Sequence, residues 1–228
     1  MTSKFGNMIS ASAYRGLYRQ PMRTLLVVIQ TAMLLLSCQA DAQQNIKRNN
    51  MEKENLKEIY LAGGCFWGTE HYFKQIDGVV NTEVGYANGT TENPTYKEVC
   101  TDKTGFAETV HVTYNPDKVS LKFLLEMYFK AIDPTSINQQ GHDTGTQYRT
   151  GVYYTDSTDE AIINKVFDEE QKHILGNIVV ENLPLKNFYK AEDYHQDYLD
   201  KNPDGYCHLP QSLFEFARKA KDNHADKQ

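Results

Sequence analysis

The sequence contains few cysteines, and no two of them form a CxxC pair. The four are Cys38, Cys65, Cys100 and Cys207, spread through a chain of 228 residues. Without a CxxC pair, the pattern predicts neither a structural zinc site nor a thioredoxin-like redox centre. Small secreted domains need a framework of structural disulfides, and a chain of this length does not. Each cysteine therefore has to be interpreted separately.

Acidic residues are missing from the first 37 positions, which carry four basic side chains. The rest of the chain has 20 basic and 30 acidic residues. Because so acidic a body repels phosphate backbones, we do not expect nucleic-acid binding. The sequence also has no nucleotide, flavin or metal motif, so we predict no bound cofactor and no metal.

A long hydrophobic run is also missing. The apolar stretch after Arg23 ends at Cys38, which is shorter than the roughly 20 residues that span a membrane as a helix. A basic start followed by a short apolar stretch is typical of a secretory signal, so residues 1–37 are predicted to be a signal segment. We expect an exported protein, either periplasmic or held at the membrane as a lipoprotein.

The end of the signal segment offers two processing sites. Residues 35–38 read LLSC and resemble the lipobox of bacterial lipoproteins, in which the cysteine is lipidated and becomes the first mature residue. This makes Cys38 a candidate lipidation site and leaves the membrane as a partner only through that anchor. Ordinary cleavage after Ala40 or Ala42 is the alternative. The polar residues 38–56 are predicted to form a flexible tether.

The body of the chain alternates irregularly between strand and helix patterns, which predicts an α+β fold. Segments rich in β-branched and aromatic residues predict strands at 58–62, 79–87, 108–114, 150–154 and 177–181. Helices are expected from Cys65, over 121–132 behind an N-cap at Ser120, over 157–174 with a capping box of Ser157 and Glu160, from about 191 to 201, and over 211–220. We assign residues 57–210 to a catalytic domain and 211–228 to a C-terminal helix and tail.

Cys65 is the best candidate for a reactive group in this body. It follows Gly63 and Gly64, which allow a strand to turn sharply into a helix. A thiol in the first turn of a helix faces unpaired backbone N–H groups and the positive end of the helix dipole, and both favour the thiolate. The alternative is a buried, inert cysteine, which is common for a lone thiol.

Five blocks of sequence in the body resemble the peptide methionine sulfoxide reductase A family. The first is GCFWGTE at residues 64–70, which is similar to the GCFWG signature of that family. The other four are GYA with NPTYKEVC at 85–87 and 93–100, GFAE at 105–108, GHDTGTQYR at 141–149, and NFYKAEDYHQDYL at 187–199. Because the blocks occur in order from about Ile59 to Cys207, a chance match is very improbable.

The resemblance implies a fold, an activity and partners. The fold would be a two-layer α/β sandwich with a mixed, mainly antiparallel sheet and a ferredoxin-like core. The activity would be reduction of methionine (S)-sulfoxide, free or in oxidised proteins and peptides, to methionine. A thioredoxin-like reductant would return the enzyme to its reduced form. The family pattern also implies a monomer.

The chemistry needs a soft nucleophile at the sulfoxide sulfur and a proton for the departing oxygen. The resemblance gives the attack to Cys65, the proton to Glu108, and hydrogen bonds to the sulfoxide oxygen to Tyr96 and Tyr148. Glu108 can serve only if burial raises its pKa towards neutrality. Without the motif around it, Glu108 would be interpreted as a solvated strand residue.

The resemblance also implies how the substrate is held. Phe66 and Trp67 follow the nucleophile and would form an aromatic pocket for the S-methyl group. Core packing is the simpler interpretation of Phe66. Asp143 is similar to an acid that organises the family's site through hydrogen bonds.

Attack leaves Cys65 as a sulfenic acid, which condenses readily with a nearby thiol. Cys207 follows the flexible stretch at 202–205, and its position resembles that of the family's first recycling cysteine, so we predict that it resolves the sulfenic acid. Cys100 is the alternative partner, although a cysteine at a strand edge is more often structural.

Two features depart from the family pattern. Phe106 stands where a histidine is common, which changes the surroundings expected for Glu108 but keeps the proton donor. No cysteine follows Cys207, so recycling should involve a single disulfide.

Two functions of other classes remain open. A thiol peroxidase would also use a reactive and a resolving cysteine, but it would not need Glu108 with two tyrosines, and it would consume peroxide instead of sulfoxide. A lipoprotein that only binds exposed hydrophobic peptides would keep its function after Cys65→Ser.

Overall fold

Six strands form one sheet within residues 55–223, the part of the chain that the computed structural model describes. They are β1 Lys57–Gly63, β2 Val79–Ala87, β3 Ala107–Tyr114, β6 Thr150–Tyr154, β7 Glu181–Pro184 and β8 Phe188–Lys190. Their order is β7-β6-β1-β3-β2-β8. All neighbours are antiparallel except β6 and β7, which are parallel. The predicted α+β fold with a mixed, mainly antiparallel sheet is confirmed.

Helices connect these strands, and a two-stranded ribbon lies between them. The helices are α1 Phe66–Lys74, α2 Tyr96–Val99, α3 Leu121–Ala131, α4 Glu160–Gln171, α5 Tyr198–Lys201 and α6 Gln211–Lys219, and the ribbon pairs β4 Gln139–Gln140 with β5 Asp143–Thr144. No helix in the described part of the chain is both long and apolar enough to cross a membrane. The signal segment, Cys38 and nearly all of the tether lie outside the described residues.

The two faces of the sheet are set by the alternation of side chains along each strand. In β1, Ile59 and Leu61 belong to the large core, which includes buried residues of α1 and α3. Tyr60 and Ala62, which alternate with them, belong to a second, smaller cluster. In β3, Val110 and Val112 face the same large core. Since Glu108 is two residues before Val110, the strand period carries its carboxyl to the side that α1 covers.

Most predicted elements agree with the structure. The strand over 79–87 has the predicted bounds, and Ser120 caps α3 by accepting a hydrogen bond from the Phe123 N–H at 3.2 Å. The predicted capping box at Ser157 is wrong. Asp156 accepts the Thr158 N–H at 2.9 Å and starts a 3-10 turn before α4, because a short carboxylate reaches the N–H two residues ahead.

Two predictions in the last third are wrong because distant partners decide the structure. The strand expected at 177–181 begins only at Glu181, where pairing with Gly151 of β6 begins. The helix expected from about 191 is confined to α5. Before it, the side chain of Gln196 binds both the N–H and the carbonyl of Val84 at 2.9 Å, so the segment is tied to β2 by tertiary hydrogen bonds.

Helix α6 brings the end of the chain back to the site. Phe214 and Ala217 are buried in the large core, and α6 packs on α1. Residues 202–210, between α5 and α6, therefore pass beside the start of α1 and carry Cys207 there.

Candidate active site

The turn into α1 places Cys65 at the N-cap position, directly before Phe66. Gly64 makes this turn with a φ of +79°, and a Cβ at Gly64 would lie 2.5 Å from the Cβ of Gln140. Glycine is therefore required here for both its backbone conformation and its lack of a side chain. Cys65 is 6% exposed and not in a disulfide. The expected start of a helix at the thiol is confirmed.

The pKa of the Cys65 thiol is raised well above its ordinary value. Burial is the largest cause, and the charge of Glu108 adds to it. The backbone N–H groups of Trp67 and Gly68 lower the pKa as the sequence predicted, but they do not outweigh burial. The helix start therefore favours the thiolate in the expected direction, but burial has the larger effect on this pKa. A protonated Glu108 removes part of the opposition, because a neutral carboxyl does not repel a thiolate.

Glu108 is the most deeply buried acid of the site, with 1% of its surface exposed. Its Oε2 accepts the Phe66 N–H at 3.1 Å, whereas its buried Oε1 has no hydrogen-bond partner. Burial raises the pKa of Glu108 to about 8, the hydrogen bond from Phe66 opposes this shift, and the charge of Asp143 adds to it. At neutral pH the carboxyl therefore holds a proton next to the Cys65 thiol, which is the protonation state that a general acid needs.

Tyr96 and Tyr148 stand together beside Glu108. Tyr96 is the first residue of α2 and Tyr148 the last of a 3-10 turn, and their phenol groups are close enough to affect each other's pKa. Burial, followed by the charge of Glu108, raises the pKa of both phenols. Both hydroxyls therefore stay protonated and can donate hydrogen bonds to an oxygen placed near Cys65.

Aromatic rings line the side of the site next to Cys65. The ring of Trp67 stacks on Tyr198 with centroids 3.7 Å apart, and its Nε1–H donates to Nδ1 of His195 at 3.0 Å. Phe66 is buried with its ring centroid 5.0 Å from that of His195. The rings of His195 and Tyr96 also pack edge-on, with their centroids 4.5 Å apart. This arrangement is an apolar wall with one buried imidazole fixed in it.

His195 and Tyr198 were not among the predicted site residues. Both lie in the motif block at 187–199, which could have marked them as candidates. Only the fold shows that they contact Trp67. Since Trp67 donates to Nδ1, the proton of a neutral His195 ring is on Nε2, which is buried without a partner.

Asp143 is the first residue of β5. Its Oδ1 accepts the hydroxyl of Tyr206 at 3.0 Å, and its Oδ2 is buried without a partner. The charge of Asp143 contributes to the raised pKa values of both Cys65 and Glu108. Tyr206 was missed by sequence reasoning, although it directly precedes Cys207.

Cys207 lies against α1. A Cβ built at Gly68 would be 2.9 Å from the Cys207 sulfur, and Gly68 is three residues after Cys65, one turn further along the helix. Cys207 is a free thiol, and burial raises its pKa. Cys100 is exposed and forms the C-cap of α2, which is not the strand edge that we expected. The structure therefore brings Cys207 to the first turns of α1, on which Cys65 sits.

Phe106, the departure from the family pattern, is a core residue. It is 1% exposed, and its ring packs edge-on against Tyr189 at 5.7 Å. A Cβ at Gly89 would come within 2.2 Å of the Phe106 ring.

Among residues 55–223, no group of three or more His, Cys, Asp or Glu side chains is arranged to hold a metal ion.

Known proteins resemble this chain over the whole described body. The family model described as peptide methionine sulfoxide reductase matches residues 57–227. A protein of Clostridium acetobutylicum named peptide methionine sulfoxide reductase MsrA is 58% identical over 158 residues, which are 69% of this chain and 98% of that protein. One of the same name from Lachnoclostridium phytofermentans is 54% identical, over 72% of this chain and 99% of its own length.

Solved structures agree with these sequence matches. The reduced form of Mxr1 from Saccharomyces cerevisiae is similar with a TM-score of 0.65 and 44% identity, over 68% of this chain and 90% of that one. Methionine sulfoxide reductase A of Corynebacterium diphtheriae gives a TM-score of 0.61 and 41% identity, over 67% of this chain and 78% of that one.

Proposed function

The chain belongs to the peptide methionine sulfoxide reductase family, and from this premise we propose that Cys65, Glu108, Tyr96 and Tyr148 carry out its reaction. The protein is a peptide-methionine (S)-S-oxide reductase, an oxidoreductase that acts on methionine sulfoxide. One observation carries the assignment of residues. A fully buried carboxyl with one free oxygen lies at the N–H of Phe66, next to a buried thiol and two tyrosine hydroxyls.

The reaction begins when the Cys65 sulfur attacks the sulfoxide sulfur. Glu108 gives its proton to the sulfoxide oxygen, which Tyr96 and Tyr148 hold by hydrogen bonds as charge develops on it. The S–O bond of the sulfoxide breaks, the oxygen ends on Cys65 as a sulfenic acid, and methionine leaves reduced. The proton of the Cys65 thiol replaces the one that Glu108 gives, so the carboxyl is protonated again at the end of the step. Phe66 and Trp67 accept the S-methyl group, which is small and apolar enough for the aromatic wall.

Asp143 acts on the arrangement of the site. It accepts the Tyr206 hydroxyl and so links the ribbon at β5 to the segment that carries Cys207. Its negative charge also favours the protonated form of Glu108. The free sulfoxide and sulfoxides in proteins are both proposed substrates, because the reacting group is the same in each.

We propose that Cys207 then attacks the Cys65 sulfenic acid and forms a single disulfide. Its sulfur packs at Gly68, and it also lines a cavity of about 480 Å³ with His71, Gly205 and Phe214. Such an opening gives an external thiol access to Cys207. A thioredoxin-like reductant would complete the cycle, and the enzyme would work as a monomer.

The experiment uses the two separate epimers of a methionine sulfoxide peptide, with dithiothreitol as reductant. Wild type should consume only the (S) epimer, and Cys65→Ser should consume neither. In the absence of a reductant, Cys207→Ser should still release one methionine per molecule but form no disulfide with Cys65. Reduction by Cys65→Ser would refute the nucleophile, and a disulfide in Cys207→Ser would move the resolving role to Cys100.

We also propose that the chain is exported and that Cys38 is lipidated, with residues 38–56 as the tether and a periplasmic or membrane-anchored location. The basic start, the short apolar stretch and the LLSC sequence support this. Radiolabelled palmitate should label the wild type and not Cys38→Ala. A mature protein beginning at residue 41 or 43 would instead show ordinary cleavage.

The four strands β6, β1, β3 and β2 are further proposed to form a ferredoxin-like core. Their order in the sheet, with α1 between β1 and β2 and α3 between β3 and β6, supports this. Superposition on ferredoxin-like domains tests it, and helices packed on opposite faces of the sheet would contradict it.

A further inference from the structure

A second histidine, His208, sits beside the two proposed redox cysteines and has no role in the mechanism so far. Its side chain fills a space bordered by three glycines. A Cβ at Gly68 would lie 3.2 Å from Nδ1 and Cε1 of the ring, a Cβ at Gly64 would lie 3.5 Å from Nε2, and one at Gly141 would lie 3.5 Å from the His208 Cβ. Any larger residue at Gly68 would therefore crowd the ring.

The ring reaches towards both cysteines. Its Nδ1 and the Cys207 sulfur approach the same point at Gly68, within 3.2 and 2.9 Å of it. Its Nε2 approaches Gly64, the residue directly before Cys65. One edge of the imidazole therefore lies near the resolving thiol, and the other lies near the backbone that carries the nucleophile.

Neither ring nitrogen has a hydrogen-bond partner of normal geometry, although both are buried. A buried polar group without a partner costs free energy and therefore calls for a functional explanation. Asp143 is the charged group that acts on this ring. Around the two thiols, Tyr206 interacts with both, and Glu108 and Tyr148 interact with Cys65.

The electrostatics suit a group that accepts a proton and passes it on. Burial lowers the pKa of His208, while the charge of Asp143 and the backbone of Gly63 act in the opposite direction. The ring is therefore neutral at neutral pH, with one nitrogen available as a base. Asp143 would stabilise a positive charge that forms briefly on the ring.

We propose that His208 relays the proton in the resolving step, an inference that rests on the proposed roles of Cys65 and Cys207. Nδ1 takes the proton as the S–H bond of Cys207 breaks. The Cys207 sulfur forms the S–S bond with Cys65, and the S–O bond of the sulfenic acid breaks. Nε2–H gives its proton to the departing oxygen, which leaves as water. Cys207 is oxidised, the Cys65 sulfur is reduced, and the ring ends neutral as the other tautomer.

The test separates the two steps in the full 228-residue chain, reduced beforehand and mixed with one equivalent of a methionine (S)-sulfoxide peptide. Methionine release is followed by mass spectrometry, the sulfenic acid by trapping with dimedone, and the disulfide by mass after alkylation of free thiols. His208→Asn and the larger His208→Gln should slow disulfide formation about 100-fold. They should slow methionine release far less, so the trapped sulfenic acid should accumulate.

The pH profile distinguishes a proton relay from a structural role. In wild type, disulfide formation should change little from pH 7 upwards, since the relay is already neutral. In both variants it should rise with pH, because the Cys207 thiol must then lose its proton to solvent. His173→Asn, an exposed histidine just after α4, is the matched control and should behave as wild type.

Three results would overturn the proposal. One is disulfide formation at the wild-type rate in both variants. A second is slow disulfide formation in the variants with the same pH profile as wild type. A third is methionine release slowed as much as disulfide formation. In both of these cases the ring would only support the structure. If wild type itself forms no disulfide between Cys65 and Cys207, the proposed resolving role fails, and that result is visible before any His208 variant is made.

Discussion

Two carboxyl groups are buried against helix α1, at its start and on its second turn, and they differ in what their oxygens contact. Glu70 on α1 is 2% exposed, and its two oxygens accept the Thr82 hydroxyl at 3.2 Å and the Asp197 N–H at 2.9 Å. Glu108 accepts a single N–H and keeps one oxygen free beside Cys65. Burial is the main cause of the raised pKa in both, to about 7 for Glu70 and about 8 for Glu108.

The difference shows that a perturbed pKa does not by itself identify a catalytic acid. Glu70 uses its oxygens to join α1 to β2 and to the start of α5. Glu108 has an unsatisfied oxygen, a thiol and two phenols around it. An acid that donates a proton needs a free position where the acceptor can bind, and only Glu108 of this pair has one.

Replacing the acids tests the comparison most strongly. Glu108→Gln should slow the first release of methionine by about 10² to 10⁴-fold, the usual contribution of a general acid. The amide has nearly the same size but no proton of suitable acidity. Single-turnover methionine formation measures this effect. A loss below tenfold would make Glu108 a structural acid like Glu70.

The tyrosines around Glu108 sharpen the comparison. Tyr96→Phe and Tyr148→Phe should each slow methionine release about 10 to 100-fold, the value of a hydrogen bond to a developing charge. Tyr72→Phe is the control, because its hydroxyl binds only the carbonyl and the sulfur of Met127 inside the core, at 3.0 and 3.9 Å. If the control is slowed as much as the two variants, the effect comes from packing and not from the sulfoxide oxygen.

The pH dependence of the free energy of unfolding should distinguish the two acids, because the loss of stability ends at a different pH for each. A carboxyl whose folded pKa is raised stabilises the fold below its unfolded pKa, and that stability is lost as pH rises to the folded value. The loss is about 1.4 kcal/mol per pH unit for each group. It should end near pH 7 for Glu70 and near pH 8 for Glu108.

Urea denaturation between pH 5 and 9 measures this loss. The free energy of unfolding of each Gln variant should rise relative to that of wild type as pH increases. This relative gain should end near pH 7 for Glu70→Gln and near pH 8 for Glu108→Gln. A difference that stays constant between pH 5 and 9 would show that the acid is already ionised in the folded state at pH 5, so that its pKa is not raised.

Glu70→Gln should have the smallest effect on activity. Its methionine release should stay within twofold of wild type, since Glu70 faces Thr82 and Asp197 and not the thiol. The same single-turnover assay at pH 7 measures it, with melting temperature as a check on folding. A loss comparable to that of Glu108→Gln would show that the two acids are coupled through α1.

Local sequence determined the first half of the fold and the main candidates for the reacting groups. Two glycines before Cys65 gave the turn, alternation in β1 and β3 gave the strands, and the motif blocks pointed to Cys65, Glu108, Tyr96 and Tyr148. Cys207 was suggested by its place after the flexible stretch at 202–205. These features depend on neighbours in the chain, which a sequence displays. The strand at Glu181 and the non-helical segment before α5 depend on pairing with β6 and β2, which it does not.

Tertiary structure decided how these groups behave. The helix start alone favours a Cys65 thiolate, but burial raises its pKa, because desolvation depends on the whole core around the thiol. His195, Tyr198 and His208 gained their places only when distant segments packed on α1. Sequence therefore supplied the candidates for the reacting groups, whereas folding fixed their charge and their partners, since both depend on atoms brought together from across the chain.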